Sequence, residues 1–474
     1  MNALYDHVVL ISLDTLRSDA LGPALSKLWP HKYSVSHRPN TEPVDRLARD
    51  GAFFPDCISA APYTSASHAS YFTGRWPPRH GVFEFFNRKL AAPTLFSHAR
   101  GVGFRTVFKT DFPLILGPFL GFDRGVDEYI IEDDEAFLKA LRSPGPTVSF
   151  AHFGGIHVPY GFHNRHYGGA DYEAKLATLE DGLPLLAGNP ADRLVETYRD
   201  AEDLRLLLRY KRVVQHYYSK GDYNFLFSLY LEGISHFIRT RFAPFLERLL
   251  DQLSGRRFLL VLFGDHGEEY DELSYGHHNT LSEGVLRVPV VFFGGDVRPG
   301  THARRIRSID VGATIMEALG VNLGRASLDG ASLLSTVRGG DPYPERTAFA
   351  QAYTSDTQEF VRYQERLLNR GRKAGRLRHV LYQEAVYESD LKLTRRYHRY
   401  AEHGGISGLE ACPPVTVLER FDEEGVPRAF RNPEAEAQLL ASLGEYRRLH
   451  RTEGAALPLT EDIRVRLNAL GYRV

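Results

Sequence analysis

His7-Val-Val-Leu-Ile-Ser-Leu-Asp-Thr15 decides how this chain folds. From His7 to Leu13 the run is almost wholly apolar, which reads as a strand buried on both faces, the pattern of a parallel sheet between helices. Asp14 and Thr15 end the run, so Asp14 stands at the C-terminal edge, where open α/β sheets gather their ligands. Taken alone, Asp14 also reads as a cap on the segment 15–19. Apolar runs recur at 104–109, 147–152, 258–263 and 288–293, separated by helical patterns at 43–51, 94–101 and 309–319. Strands alternating with helices predict an α/β protein with a large mixed, mostly parallel sheet flanked by helices.

A chain of 474 residues can bury a large core in two or three structural units. The residues 1–345 are expected to form the main domain, with a helical, aromatic insertion over 161–245. Its aromatic stripe reads most simply as core or a helix–helix contact, with ligand lining as the alternative. After about residue 345 the texture becomes Arg- and Tyr-rich, which predicts a smaller C-terminal α+β subdomain over 346–474. The composition is 43% hydrophobic and 25% charged, with a net charge of −1, so no basic excess points to nucleic acid. No apolar run approaches the roughly 20 residues needed to span a bilayer. Two cysteines, Cys57 and Cys412, fit a reducing compartment, and the N-terminus shows no secretion signal, so a cytoplasmic location is expected.

Chemistry concentrates in a second stretch, Ala61-Pro-Tyr-Thr64-Ser-Ala-Ser-His68-Ala-Ser-Tyr-Phe-Thr-Gly-Arg75. Pro62 punctuates the chain, and from Ser65 the small and aromatic residues suit a helix packed tightly on a sheet. Thr64 falls at the helix start, where free N–H groups and the helix dipole favour an anion or alkoxide. The bland alternative is that Thr64 caps the helix. Gly264-Asp265-His266-Gly267-Glu268 closes another apolar run. Asp14, Thr64, Asp265 and His266 can therefore meet on one sheet edge. Two carboxylates, an imidazole and a hydroxyl suit one divalent cation, Zn²⁺ or Mn²⁺ first, with Mg²⁺ and Ca²⁺ as alternatives. Zn²⁺ moves bound water from pKa 15.7 to about 7, roughly 12 kcal/mol, more than a hydrogen bond supplies.

These residues carry a family resemblance. Leu13-Asp14-Thr-Leu-Arg-Ser-Asp19, the segment 43–53, Thr73-Gly-Arg75 with His80-Gly-Val82, His157-Val-Pro-Tyr160, Asp265-His-Gly-Glu268, Tyr275-Gly-His277, Leu286-Arg-Val-Pro289 and the ending 466–472 occur in order. The set resembles the sulfatase branch of the alkaline phosphatase superfamily over most of the chain, 161–245 excepted, which implies that 1–345 is the catalytic domain and that the insertion 161–245 lies near its active site. The resemblance implies a metal held by Asp14, Thr64, Asp265 and His266. It implies Thr64, His157 and His277 as catalytic groups, with Lys109, His68, His157 and His277 as substrate-binding ones. The departures are as telling. Sulfatases mature a Cys or Ser in Cys/Ser-x-Pro-x-Arg to formylglycine; here that position is Thr64, which cannot be converted, and Ala66 and His68 replace Pro and Arg. A threonine nucleophile is similar to the phosphoryl-transferring members. Thr15 replaces an acidic residue usual at calcium-binding sites, and Phe153 stands where two-zinc members have an Asp, so one metal is expected rather than two.

The resulting expectation is a metal-dependent hydrolase or transferase of phosphate mono- or diesters, working through a phosphothreonine at Thr64. A sulfuric ester hydrolase without formylglycine is the alternative, and a metal-binding scaffold is the reading from another class. The expected partner is a small-molecule or soluble ester, with neither nucleic acid nor membrane; a homo-oligomer is compatible with all of this.

Overall fold

The computed structural model describes residues 3–24, 27–83, 88–158, 160, 170–181, 183, 202–272, 274–277, 280–353, 381–397 and 414–449. The family-like ending 466–472, Cys412 and much of 161–201 lie outside the described residues. The early strands are β1 (His7–Leu13), β2 (Ala52–Ile58), β3 (Arg105–Thr110), β4 (Glu128–Ile131), β5 (Thr147–Phe153) and β6 (Phe258–Gly264). A two-residue ribbon, β7 (Glu269–Tyr270) with β8 (Tyr275–Gly276), precedes β9 (Arg287–Gly294), β10 (Gly300–Thr301) and β11 (Ile306–Arg307). Among the described residues nine strands form the central sheet, in the order β10-β2-β9-β6-β1-β5-β3-β4, with β11 also on β2. Its pairings are parallel except where β9 meets β2 and β6.

Two apolar layers follow from the pleat. Val8, Leu10, Phe108, Phe150, Val261 and Phe263 face one side, against the helices Thr64–Thr73, Leu95–Gly101 and Ser308–Ala318. Val9, Ile11, Leu13, Val107, Phe153 and Leu260 face the other, against Tyr223–Phe237 and Ala243–Leu253. Alternation of period two along each buried strand produces this division. The helical insertion is thus largely a flanking layer. Leu226, Phe227, Tyr230, Ile234 and Phe237 are buried in the second core, and five residues of π-helix, Ile238–Phe242, join Tyr223–Phe237 to Ala243–Leu253. No helix among the described residues is long and apolar enough to cross a membrane.

A five-stranded antiparallel sheet follows: β12 (Ala348–Tyr353), β13 (Leu381–Glu388), β14 (Leu391–Arg396), β15 (Val415–Phe421) and β16 (Pro427–Ala429). Leu439 and Leu443 of the helix Pro433–Leu449 bury against its Val386, Leu393 and Leu418. We propose the domain division near residue 345, just ahead of this sheet.

Candidate active site

Two adjacent parallel strands, β1 and β6, deliver the acidic groups. Leu13 of β1 pairs with Phe153 of β5 and Gly264 of β6, so Asp14 and Asp265 leave the sheet at one level. Asp14 and Asp265 continue the rows of Val8–Leu10–Ser12 and Val261–Phe263, which point toward the Thr64 helix. That helix reaches the same place from above. Tyr63 is its N-cap, in extended conformation, and makes no side-chain capping bond; Thr64 is the first helical residue, not the cap. Ser67 Oγ donates to the Asp265 carbonyl at 2.7 Å and Tyr71 OH to the Gly264 carbonyl at 3.0 Å, which pins the helix to the end of β6. Thr64 Oγ1 donates to Asp14 Oδ2 at 3.3 Å and lies 3.3 Å from His266 Nε2.

In each of the three metal-ligand candidates one atom is committed to the protein and another is not. Asp265 Oδ1 accepts the Thr15 N–H at 3.1 Å. His266 Nδ1 sits 3.2 Å from the Gly267 carbonyl, which makes it the protonated nitrogen and leaves Nε2 a lone pair. Asp14 Oδ1 and Asp265 Oδ2 are buried with no hydrogen-bond partner, 3.7 and 3.4 Å from His266 Nε2. One ligand atom from each of Asp14, Asp265 and His266 lies within 4.8 Å of the others. Orphaned buried carboxylate oxygens are costly, and a divalent cation is the group this donor set fits. With the protein groups alone, burial pushes Asp14 up to about 6. Burial, then the neighbouring Asp14 charge, raises Asp265 as well.

The backbone is strained to build this. Thr15, β-branched, holds φ at +61°, a conformation costing on the order of 1–3 kcal/mol. That turn aims its N–H at Asp265 and its carbonyl at Tyr230 OH, 2.7 Å away on the insertion helix. The insertion therefore grips the chain beside Asp14 from the opposite face of the sheet. Its helix Tyr223–Phe237 packs on the face of the sheet away from the Thr64 helix, and much of 161–201 lies outside the described residues. Gly267 is required where it stands, since a Cβ there would overlap the Gly284 carbonyl.

His277 and His157 line up beside the cluster. Their ring centroids are 4.9 Å apart, and His277 lies 4.4 Å from His266. Glu268 Oε1 sits 3.2 Å from His277 Nδ1. Two assignments made from the sequence are corrected. Lys109 shares its pleat row with Val107, on the other face from Thr64; its ammonium bonds Asp111 at 2.7 Å and Asp134 at 2.9 Å and rides over the Phe153 ring. It is not placed as a substrate group. His68 is fully buried under the helix start, with Nδ1 2.7 Å from the Thr64 carbonyl and Nε2 2.9 Å from Ser12 Oγ. Burial holds its pKa down at about 3, so it is a neutral strut, not a substrate ligand. Phe153 packs its ring against Phe242 and Phe245, away from the cluster. Sequence reasoning passed over His152, whose Nε2 lies 3.0 Å from Asp14 Oδ2.

The family model described as Sulfatase matches residues 6–201 and 243–321. Its gap, 202–242, falls within the helical insertion and is shorter than the 161–245 expected to lack a counterpart. A choline-sulfatase of Rhizobium meliloti (strain 1021) is 24% identical over 70% of this chain and 72% of its own length. The low-salt glycan biosynthesis sulfotransferase Agl7 of Haloferax volcanii is 25% identical over 58% of this chain and 56% of its own length. Among solved structures, a protein in complex with its substrate D-glucosamine-2-N,6-O-disulfate superposes with a TM-score of 0.62 at 15% identity, over 95% of this chain and 98% of the other. The phosphonate monoester hydrolase of Silicibacter pomeroyi gives 0.56 at 17% identity, over 96% and 98%. At these identities the solved structures speak to the fold. Matched by the family model over more than half of its length, the chain belongs to the sulfatase family and is a sulfatase-like ester hydrolase.

Proposed function

We propose that the chain is a metal-dependent hydrolase or transferase of phosphate mono- or diesters that works through a covalent phosphothreonine at Thr64. The observation that carries this reading is the Thr64 hydroxyl at the first position of a helix, 3.3 Å from both Asp14 Oδ2 and His266 Nε2. Asp14, Asp265 and His266, with Thr64, would hold the cation, Zn²⁺ or Mn²⁺ by their oxygen and nitrogen donors. Such an ion supplies the Lewis acidity that makes an alkoxide accessible near neutral pH. The chain's own groups do the rest. Asp14 Oδ2 already accepts the Thr64 O–H, so it is placed to take that proton as Oγ1 bonds to phosphorus. The N-terminal amides of the helix favour the negative charge that develops there. His157 or His277 would protonate the departing oxygen. Water or an acceptor hydroxyl then breaks the Thr64–phosphorus bond and releases the side chain.

The second reading, a sulfuric ester hydrolase, is favoured by the choline-sulfatase relative. Thr64 is the argument against it, because an alkyl sulfo-intermediate lacks the easy exit that a formylglycine hydrate provides. The substrate is proposed to be small or soluble. The cytoplasmic location belongs to this proposal too, and the free, buried thiol of Cys57 is in keeping with it. One experiment separates the readings. Aryl phosphate monoesters, diesters and sulfates are assayed with Zn²⁺, Mn²⁺, Mg²⁺ and Ca²⁺ supplied separately, and the reaction is acid-quenched for peptide mapping. Phosphate on the Thr64 peptide is the expected result. Turnover of sulfates alone would replace the first reading with the second.

A further inference from the structure

We propose that His152 is a positioning residue for Asp14, deciding which of its two oxygens is presented to the cation. The inference rests on the metal reading above. His152 is the last but one residue of β5 and fully buried. Its pleat row, Val148–Phe150–His152, points to the same face as Ser12 and Asp14. Nε2 lies 3.0 Å from Asp14 Oδ2, and Nδ1 lies 3.3 Å from Thr110 Oγ1.

The direction of these two bonds can be worked out. Asp14 Oδ2, a carboxylate oxygen, only accepts, which places the His152 proton on Nε2 and leaves Nδ1 to accept the hydroxyl proton of Thr110, whose oxygen takes the Phe112 N–H at 2.9 Å. An imidazole that accepts at Nδ1 carries its proton on Nε2. His152 therefore donates to Asp14 Oδ2, which also accepts from Thr64. With two donors on Oδ2, the oxygen that faces His266 and Asp265 without a partner is Oδ1. The opposite tautomer would set a lone pair against Asp14 Oδ2 and free that carboxylate to rotate. Lys109 holds the backbone of the same residue from the far face of the sheet, donating to the His152 carbonyl at 3.1 Å. Outer partners of this kind fix the orientation of a metal ligand, and their loss typically costs about 10–100-fold in metal affinity.

The test is direct metal binding. The full chain, stripped by chelation, is titrated calorimetrically with Mn²⁺ and with Zn²⁺, and the melting temperature of each metal-free protein is recorded. His152→Leu should weaken binding by about 10–100-fold, while His152→Gln, whose amide N–H reaches toward Asp14 Oδ2, recovers much of that loss. Thr110→Val, which removes the hydroxyl that supports this tautomer at Nδ1, should weaken binding by a smaller factor with the metal-free melting temperature little changed. It serves as the main test if His152→Leu does not fold. Wild-type affinity in a folded His152→Leu would overturn the proposal, and so would wild-type affinity in Thr110→Val. Equal losses in folded His152→Leu and His152→Gln would overturn it as well. A wild-type chain that binds neither ion stoichiometrically would instead overturn the metal reading, and this inference with it.

Discussion

Two buried charged clusters lie on opposite faces of the central sheet, and they are built on opposite rules. On one face, Lys109, Asp111, Asp134 and Arg241 form a closed quartet. Asp111 Oδ1 accepts from Lys109 and Arg241, and Oδ2 accepts from Arg241 and the Gly154 N–H. Asp134 meets Lys109 and Arg241 through its two oxygens. Burial alone would raise the Asp111 pKa, but Lys109 and then Arg241 outweigh it and hold it well below the usual range. On the other face, Asp14 and Asp265 are equally buried, each keeps an oxygen without a hydrogen-bond partner, and both pKa values move up. Burial is therefore not what marks the site. What marks it is a charge the protein has buried and left uncompensated, beside a strained Thr15, where paired side chains would have been cheaper.

The largest effect expected from breaking this contrast is chemical. Thr64→Ala should lower turnover by on the order of 10⁴-fold or more, the scale on which removal of an attacking group is felt. Because Thr64 is not the helix cap, the melting temperature should barely move. Steady-state rates beside a thermal melt check both halves; full activity in the alanine variant would mean the nucleophile lies elsewhere.

Next comes the quartet, where the same kind of substitution should act on stability. Asp111→Ala strands Lys109 and Arg241 in the interior without one of their two carboxylates, at a cost of about 3–5 kcal/mol. Urea unfolding should show the midpoint falling with no change in the slope. A midpoint left in place would show that the quartet is incidental.

A third cluster, where the C-terminal sheet meets the central one, follows the quartet's rule at smaller scale. Glu283 accepts from Lys392 at 2.9 Å and Tyr387 at 2.8 Å through Oε1, and from Arg287 at 2.8 Å through Oε2. Burial would raise its pKa, yet Lys392 and Arg287 bring it down to about 2 from an ordinary 4.5. A carboxyl depressed in the folded state stabilises it fully above its unfolded pKa, and that contribution is lost as pH falls. Stability should therefore decline between about pH 4.5 and 2, by at most about 3 kcal/mol from this group. Glu283→Gln should flatten that part of the pH–stability curve. An unchanged acid limb in the variant would assign the decline to other carboxylates.

The same contrast explains what was legible in the sequence. Asp14 and Asp265 could be read because each ends a continuous apolar run, and run-ends of neighbouring parallel strands must share an edge. Thr64 could be read because a strand, a proline and a small-residue helix fix where that helix begins. Lys109 and His152 could not be sorted the same way. Both sit near strand ends, and which of them faces Thr64 depends on pleat parity combined with register. The pairing of β3 with β5 fixes that register. One residue of parity sends Lys109 to Asp111 and brings His152 to Asp14. His68 was misread for a related reason: on the helix, four residues past Thr64, it turns back to the Thr64 carbonyl and Ser12. The insertion's helices were evident from their pattern, but which face of the sheet they cover was not, because both faces present similar apolar rows.

The smallest effect is the sharpest, because its sign differs between the clusters. In the metal-free protein, Asp265→Asn should stabilise. The amide oxygen can still accept the Thr15 N–H, now held by Oδ1 at 3.1 Å. The NH₂ takes the place of Oδ2, an anionic oxygen that has no hydrogen-bond partner in a site shared with Asp14. It replaces a like-charge contact with a donor, and a relieved buried charge of this kind is worth about 1 kcal/mol. In a chain of this size that is a rise of roughly 1–3 °C in melting temperature. Adding Mn²⁺ or Zn²⁺ should reverse the order. The wild-type melt should climb with metal by mass action, while Asp265→Asn, short of one anionic ligand, should respond weakly and finish below it. Asp111→Asn in the quartet should destabilise with or without metal, since there the carboxylate already has its partners. A metal-free Asp265→Asn that melts below the wild type would mean that both clusters obey the quartet's rule, and that the two orphaned oxygens are not what distinguishes the site.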